Sequence, residues 1–463
     1  LAVLSASHRA ALTAVIQACP DAALARLGVA LAALAGAKAA EVAALAAEEA
    51  RDRARRNTAF APLAPLFQPR ADGAPALTFP PAVLARVWRA ARQGEEDFLG
   101  MLDGAESLDG EWTVAADRLC ARAAAVLRDR PDEVWADFVA PADDGPPSTP
   151  QELAGCFDLT PLVRQAVSRL PAWLERPDDT QLAGLRLLIQ DANAVAPDGG
   201  RRMIDILFAH VADAERMLRV VTRTSRSAGN ELVLSHSEMG VFVERLLASI
   251  QARVRRIGAV RPTQGEAAMA QVVEDVAWCA GVLAEMDVTL QLRPESPWGK
   301  TARMARIQTA GQISALIKSA AGAVHAALPM KRRTIAGRMT RLAPWVEAPA
   351  HGEAIEMAIT LLNVVTALRG AAAVFGCEGD RAQLKAEVTD YLSTWANEAL
   401  DGVGDGEVED VDRALRLVGV AARLLTTMES LDAARAVRRR AAAAETARAT
   451  SRPGWNGASP TAA

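Results

Sequence analysis

The chain has 463 residues, 51% hydrophobic but only 4% aromatic, with a formal net charge of -4 and a single tyrosine, Tyr391. That length exceeds one ordinary core and implies roughly two to four compact units. Alanine and leucine must do the packing, and the long alternating runs of β-branched and aromatic residues that sheets favour are scarce. This excludes a sheet-based fold and predicts an all-α protein, an irregular bundle of packed helical hairpins with at most one short two-strand ribbon.

Residues 1-140 form an alanine-rich helical region. The apolar run Leu27 to Ala37, flanked by Arg26 and Lys38, has the length and the Ala35-Gly36-Ala37 ending of a signal-peptide core. The residues before it already carry an amphipathic helical pattern, so the expectation is a core helix and a cytoplasmic protein. No apolar run approaches the roughly 18 residues of a bilayer span, so no membrane partner is expected. Breaks are expected at Gln68 to Pro81 and, as a region boundary, at Pro141 to Pro150.

The second region, 150-345, opens on Thr149-Pro150-Gln151-Glu152, a capping box with proline at the first helical position. Thr160-Pro161, Ser235-His236-Ser237-Glu238 and Asp380-Arg381-Ala382-Gln383 read as further helix starts. The helix opened by Ser235 shows an apolar stripe of Met239, Phe242, Leu246, Ile250, Val254 and Ile257. Arg245 and Arg256 fall opposite it, with Arg253 and Arg255 on either side, which predicts a basic outer face. Glu231 to Leu234 and Val288 to Leu292 look extended, as loops with apolar plugs in preference to a paired ribbon. A further break is expected at Arg293 to Pro297. The third region, 346-449, is helical, with a break at Asp401 to Gly406, and 450-463 is an expected disordered tail. Gly265-Glu266, Gly352-Glu353 and Gly406-Glu407 each read as a helix start.

Motifs with chemical meaning are incomplete. Trp298-Gly299-Lys300-Thr301 ends like a phosphate loop, but Pro294 stands where that loop needs its first glycine. Asp401 to Asp412 resembles a calcium loop, yet Val403 removes a ligand and Asp412 replaces the final glutamate, so an acidic turn is preferred. The five histidines are spread singly; His210 and His325 read as satisfied core residues and His236 as solvent-facing. Trp88, Trp135, Trp173, Trp278, Trp345 and Trp395 read as helical core residues, whereas Trp112 and Trp298 read as candidate surface contacts. The five cysteines are odd in number and contain no CxxC pair, which favours a reducing compartment over a disulfide framework or a cysteine zinc site. Neither a catalytic constellation nor a metal or cofactor site is expected.

Charge gives the one functional pointer. Residues 200-345 hold 21 Lys and Arg against 12 Asp and Glu, a balance of +9 in a chain of net -4. Arginine dominates lysine throughout, as in a bacterial GC-rich coding sequence. The clusters are Arg219, Arg223 and Arg226; Arg253, Arg255, Arg256 and Arg261; Arg303 and Arg306; and Lys331, Arg332, Arg333, Arg338 and Arg341. The second and fourth are the candidate partner-binding residues. The expected function is a non-enzymatic interaction or scaffold protein that binds a protein with an acidic surface. Nucleic-acid or phosphate-ligand binding by 200-345 is the alternative, and an enzyme with a helical active site invisible in sequence is the second.

Overall fold

The computed structural model describes residues 4-70, 73, 76-103, 110-135, 149-175, 177-224, 229-336, 339-348 and 352-451. It is all-α, 80% helical, with one two-strand antiparallel ribbon. Two compact units divide it, Leu1–Val243 and Glu244–Ala463, so the division falls inside the region that composition groups as 150-345. The expected boundary at Pro141 to Pro150 lies largely outside the described residues, as do Arg226 and nearly all of the 450-463 tail.

The first unit opens on three helices, α1 (Ala6–Ala18), α2 (Asp21–Ala32) and α3 (Ala37–Ala59). Their shared core is thin: Ile16, Leu24 and Ala46, with Leu27, Leu31, Val42 and Leu45 packed against it. Helices as short as α1 and α2 are marginal alone, so a second device is needed. It is Arg53 of α3, which is buried. Its Nη1 donates to the Cys19 carbonyl at 2.8 Å and to Asp21 Oδ1 at 2.6 Å. Its Nη2 donates to the carbonyls of Ile16 and Gln17, and its Nε to Glu49 Oε1 at 2.7 Å. One guanidinium thereby satisfies the orphan carbonyls that end α1 and adds positive charge at the negative end of its dipole.

The larger core of this unit lies beneath the 3-10 turn Ala61–Phe67, α4 (Pro81–Ala91), α5 (Glu96–Met101), α6 (Glu111–Asp129), α7 (Pro131–Trp135), α8 (Pro150–Asp158) and α9 (Thr160–Leu174). Phe60 sits edge-on to Trp88 at 5.4 Å and to Phe157 at 4.7 Å, a compact aromatic centre in an aromatic-poor chain. The Thr149 capping box forms as expected. Thr160 does not cap α9; its hydroxyl turns back to the Cys156 carbonyl because α8 and α9 are almost continuous. Then follow α10 (Asp179–Val195), α11 (Gly199–Ala209), α12 (Ala214–Arg223), α13 (Glu231–Ser235) and α14 (Gly240–Ala259). Two expectations fail here. Glu231 to Leu234 is helical, capped by the Asn230 side chain on the Leu232 amide. The Ser235 box is not formed, because Ser235 and Ser237 donate to the carbonyls of Leu232 and Leu234 and finish α13 instead of starting α14. The apolar stripe from Met239 to Ile257 is buried throughout, as expected.

The second unit begins within α14, all but the first turn of which belongs to it, and is built on α15 (Glu266–Thr289) and the 31-residue α16 (Pro297–Ala327). Beyond α16 come the ribbon, α17 (Gly352–Ala367), α18 (Arg369–Val374), α19 (Glu378–Gly404), α20 (Val411–Thr427) and α21 (Leu431–Ser451). α16 packs on α17 and α19, and α19 to α21 form successive hairpins around Trp395, Leu392, Leu424 and Leu425. α15 corrects the reading of the apolar runs: it is long and apolar enough to cross a bilayer by length and composition. Within this unit it packs on α17 and α18 and carries the buried carboxylates Asp275 and Glu285.

Turn chemistry explains several motifs. At Gly299 an added Cβ would meet the Arg293 carbonyl oxygen at 2.0 Å, and Ser296 caps the helix by accepting the Gly299 amide. The apparent GKT ending is thus the tight start of α16, and Trp298 beside it is buried, contrary to the expected surface role. Asp401 to Gly404 are the last turn of α19, not the start of a loop. Gly406, at φ +71°, then lets the Glu407 amide reach back to the Gly402 carbonyl, so Gly406-Glu407 ends a helix and Asp410 caps the next. Asp380 likewise lies inside α19, which begins two residues earlier.

Candidate interaction surface

The ribbon arises where α16 must stop. Pro329 cannot continue the helix, and the carbonyls of Leu328 and Pro329, left without helical partners, are taken by the Tyr391 hydroxyl at 2.7 Å and Trp395 Nε1 at 3.0 Å. The chain then reverses as β1 (Met330–Ala336) and β2 (Met339–Pro344), antiparallel, with Lys331 opposite Ala343, Arg332 opposite Leu342 and Arg333 opposite Arg341. The Trp345 amide closes the base by donating to the Pro329 carbonyl at 3.0 Å. The segment 330-344 contains five Lys and Arg and no Asp or Glu.

Strand periodicity sorts these charges onto two faces. One holds Lys331, Arg333 and Arg341. A like-charged pair directly opposite is destabilising, and here it is relieved from outside: Arg333 Nη1 reaches Glu407 and Arg341 Nη2 reaches Glu398, each at 2.6 Å. Lys331 pairs with Glu347, whose carboxyl is held below its usual pKa by that hydrogen bond. The Lys331 and Arg333 pairs are solvent-exposed, whereas Glu398, the partner of Arg341, is largely covered. The other face carries Arg332, exposed and without an ion-pair partner among the described residues, beside Leu342, which is 57% exposed. The Arg338 side chain lies outside the described residues.

The second predicted cluster is different in kind. Arg253 is buried, its Nη1 donating to Asp275 Oδ1 at 2.8 Å while its guanidinium lies 4.1 Å over the Trp278 ring. Arg256 closes on the same carboxylate through Nε at 2.6 Å. The expected basic outer face is corrected for Arg253: at 100° per residue it lies only about 20° from Phe242 and 40° from Ile257, inside the apolar stripe. Its burial is made tolerable by Asp275, an acid set among the apolar residues of α15. Arg255 and Arg261 remain exposed. Arg306 of the third cluster pairs with Asp287 at 2.6 Å.

The Arg253 to Arg256 part of the second cluster stays apart from the ribbon. The end of α14 is fixed against the middle of α16 by Gln312 Nε2 donating to the Val254 carbonyl at 2.9 Å. The ribbon begins past Ala327, about 22 Å further along α16 at 1.5 Å per residue. Ser314 bonds Asp380 and Leu328 bonds Tyr391, so α19 runs alongside α16 in the same direction, and the contacts to Glu398 and Glu407 carry the ribbon further away still.

Other candidate groups are structural. His210 is partly buried with Nε2 2.7 Å from the Pro62 carbonyl, and burial pushes its pKa below the usual histidine value. His325 is exposed and stacked on Tyr391 at 4.2 Å, not a core residue, because it lies on the outer side of α16. Trp345 is likewise 41% exposed: it ends the ribbon and is not helical. Beneath it is a shallow cleft lined by Leu328, Trp345, Trp395 and Leu417, with room for about one water molecule and far short of a ligand pocket. The acidic run is tied down at both ends, Asp401 to Arg440 and Asp412 to Arg448. The described cysteines are free, and burial pushes the Cys120, Cys156 and Cys279 thiols up to about 12. Among the described residues no group of three His, Cys, Asp or Glu could hold a metal ion.

Sequence reasoning missed the ribbon and its counter-charges Glu347, Glu398 and Glu407. A readable signal existed in Thr334-Ile335 and Thr340-Arg341-Leu342 flanking Gly337. No protein-family model matches the chain, and no curated protein or solved structure matches it either.

Proposed function

We propose that this chain is a non-catalytic helical interaction protein that binds an acidic protein partner through the basic ribbon Met330–Pro344. The observation that carries this reading is the charge of that element: five cations and no carboxylate in 15 residues, with Arg332, Arg333 and Arg341 exposed and Arg332 left without an ion-pair partner among the described residues. The remainder of the basic stretch supports it less, since Arg253, Arg256 and Arg306 are neutralised inside the chain. Buried, protonated thiols in free cysteines suit a reducing, cytoplasmic setting. The nucleic-acid reading is disfavoured by Glu398 and Glu407 beside the ribbon, which a wide polyanion would have to approach.

The test uses the full chain and labelled poly-glutamate, with a short DNA duplex as comparison, followed by fluorescence anisotropy at rising salt. Poly-glutamate is expected to bind at low salt and weaken as salt rises. Arg332→Glu should cost it about tenfold in affinity, and Arg261→Glu less than about twofold. Absence of poly-glutamate binding at low salt, or equal losses from the two variants, sinks the assignment.

A further inference from the structure

A two-strand sheet has two open edges, and here they are unlike. β2 lies along α19, whereas no third strand pairs with β1 among the described residues. In an antiparallel pair each strand turns alternate N–H and C=O groups away from its partner, so β1 presents a row of backbone donors and acceptors that could template another strand. Such edges are ordinarily guarded by charge. The guard on this one is of a single sign: Lys331, Arg332 and Arg333 are consecutive, and Arg341 stands directly opposite Arg333. It repels a second copy of the same ribbon and gives nothing to a neutral strand. It rewards a strand of carboxylates.

We infer that the outer edge of β1 is a docking edge for an acidic, extended polypeptide segment, which adds as a third strand. This rests on the proposed acidic-partner reading and gives it a geometry. Because side chains alternate across the strand, three successive acids on the incoming segment would meet Lys331 and Arg333 on one face and Arg332 on the other. Arg332 has no competing ion pair among the described residues. Lys331 and Arg333 hold only exposed pairs with Glu347 and Glu407, which are weak enough to be exchanged for a partner's carboxylates. Leu342, opposite Arg332 and mostly exposed, makes that face partly apolar, so the segment should carry β-branched residues two places to either side of the acid that meets Arg332. Width separates this occupant from nucleic acid. A strand occupies a strip of about 4.8 Å beyond β1, whereas the major groove of a duplex alone is about 12 Å wide and would bring phosphates over Glu398 and Glu407.

The experiment pairs the full chain with an acidic peptide alternating glutamate and β-branched residues around a central run of three glutamates. Two further versions are N-methylated on its even or on its odd residues. A strand turns only every second amide toward the edge it joins, so one methylated version should lose at least about tenfold in affinity and the other less than about twofold. Equal affinity of all three peptides, with binding retained, overturns strand addition while leaving the acidic-partner reading intact. No binding by any of them, with poly-glutamate also silent, removes both. Tighter binding of a DNA duplex than of the unmethylated peptide, or a ribbon-dependent dimer in sedimentation, also overturns the inference in favour of those occupants.

Discussion

The α14–α15 seam and the ribbon are both rich in arginine, and they use it in opposite ways. At the seam Arg253 and the Asp275 carboxylate are almost fully removed from water, and Arg256 closes the carboxylate's other side. On the ribbon Arg333 and Arg341 stay more than half exposed while paired with Glu407 and Glu398. Positive charge counted along the sequence therefore says little about positive charge presented to a partner. A buried pair is held by the penalty of breaking it, and an exposed pair by almost nothing.

The sharpest way to break that contrast is Asp275→Asn. It removes the buried carboxylate charge that Arg253 and Arg256 share, and a loss of about 3 to 5 kcal/mol is expected in urea unfolding of the full chain. A loss below about 1 kcal/mol would place Arg253 with the ribbon residues. Next in size is Arg53→Met, which keeps the apolar stem but removes the donors that close α1. About 2 to 3 kcal/mol should be lost locally, read as faster amide exchange in Ala6–Ala18 with α6 unchanged.

His210 tests burial without a carboxylate. Its folded pKa is depressed chiefly by desolvation, so its neutral form is the one the fold favours. That contribution is complete above the unfolded value of about 6.5 and is lost as pH falls from there toward the folded value. The thermal midpoint should therefore drop on acidification below about pH 6.5, and the drop should be shallower in His210→Gln. An identical slope would show that His210 does not couple. The smallest structural effect belongs to Glu398→Gln with Glu407→Gln. The unfolding midpoint should stay in place while affinity for poly-glutamate rises, since two competitors for Arg341 and Arg333 are gone.

Much of the fold was legible because alanine-rich helices advertise their period and caps. The Thr149 box and the Met239 to Ile257 stripe are where sequence places them. Boundaries failed where a cap residue had two candidate helices to serve, as Ser235 and Ser237 do. The site was harder. Lys331 to Arg341 could be singled out by charge, but the strand pairing that arranges them depends on Tyr391 and Trp395, some 60 residues away in sequence, catching the end of α16. Arg253 was misplaced for a simpler reason: its phase puts it within the stripe, and only the acid embedded in α15 makes that position tolerable.

The length of α16 also fixes a valency. With Arg255 exposed near its middle and the ribbon beyond its end, the two basic stations are separated by about 22 Å along its axis, well past the roughly 8 Å over which charges feel one another in physiological salt. An extended chain rising about 3.3 Å per residue needs some seven residues to touch both. Shorter acidic segments must occupy one station and leave the other vacant, so a ligand's length, independent of its composition, decides whether it is gripped once or twice.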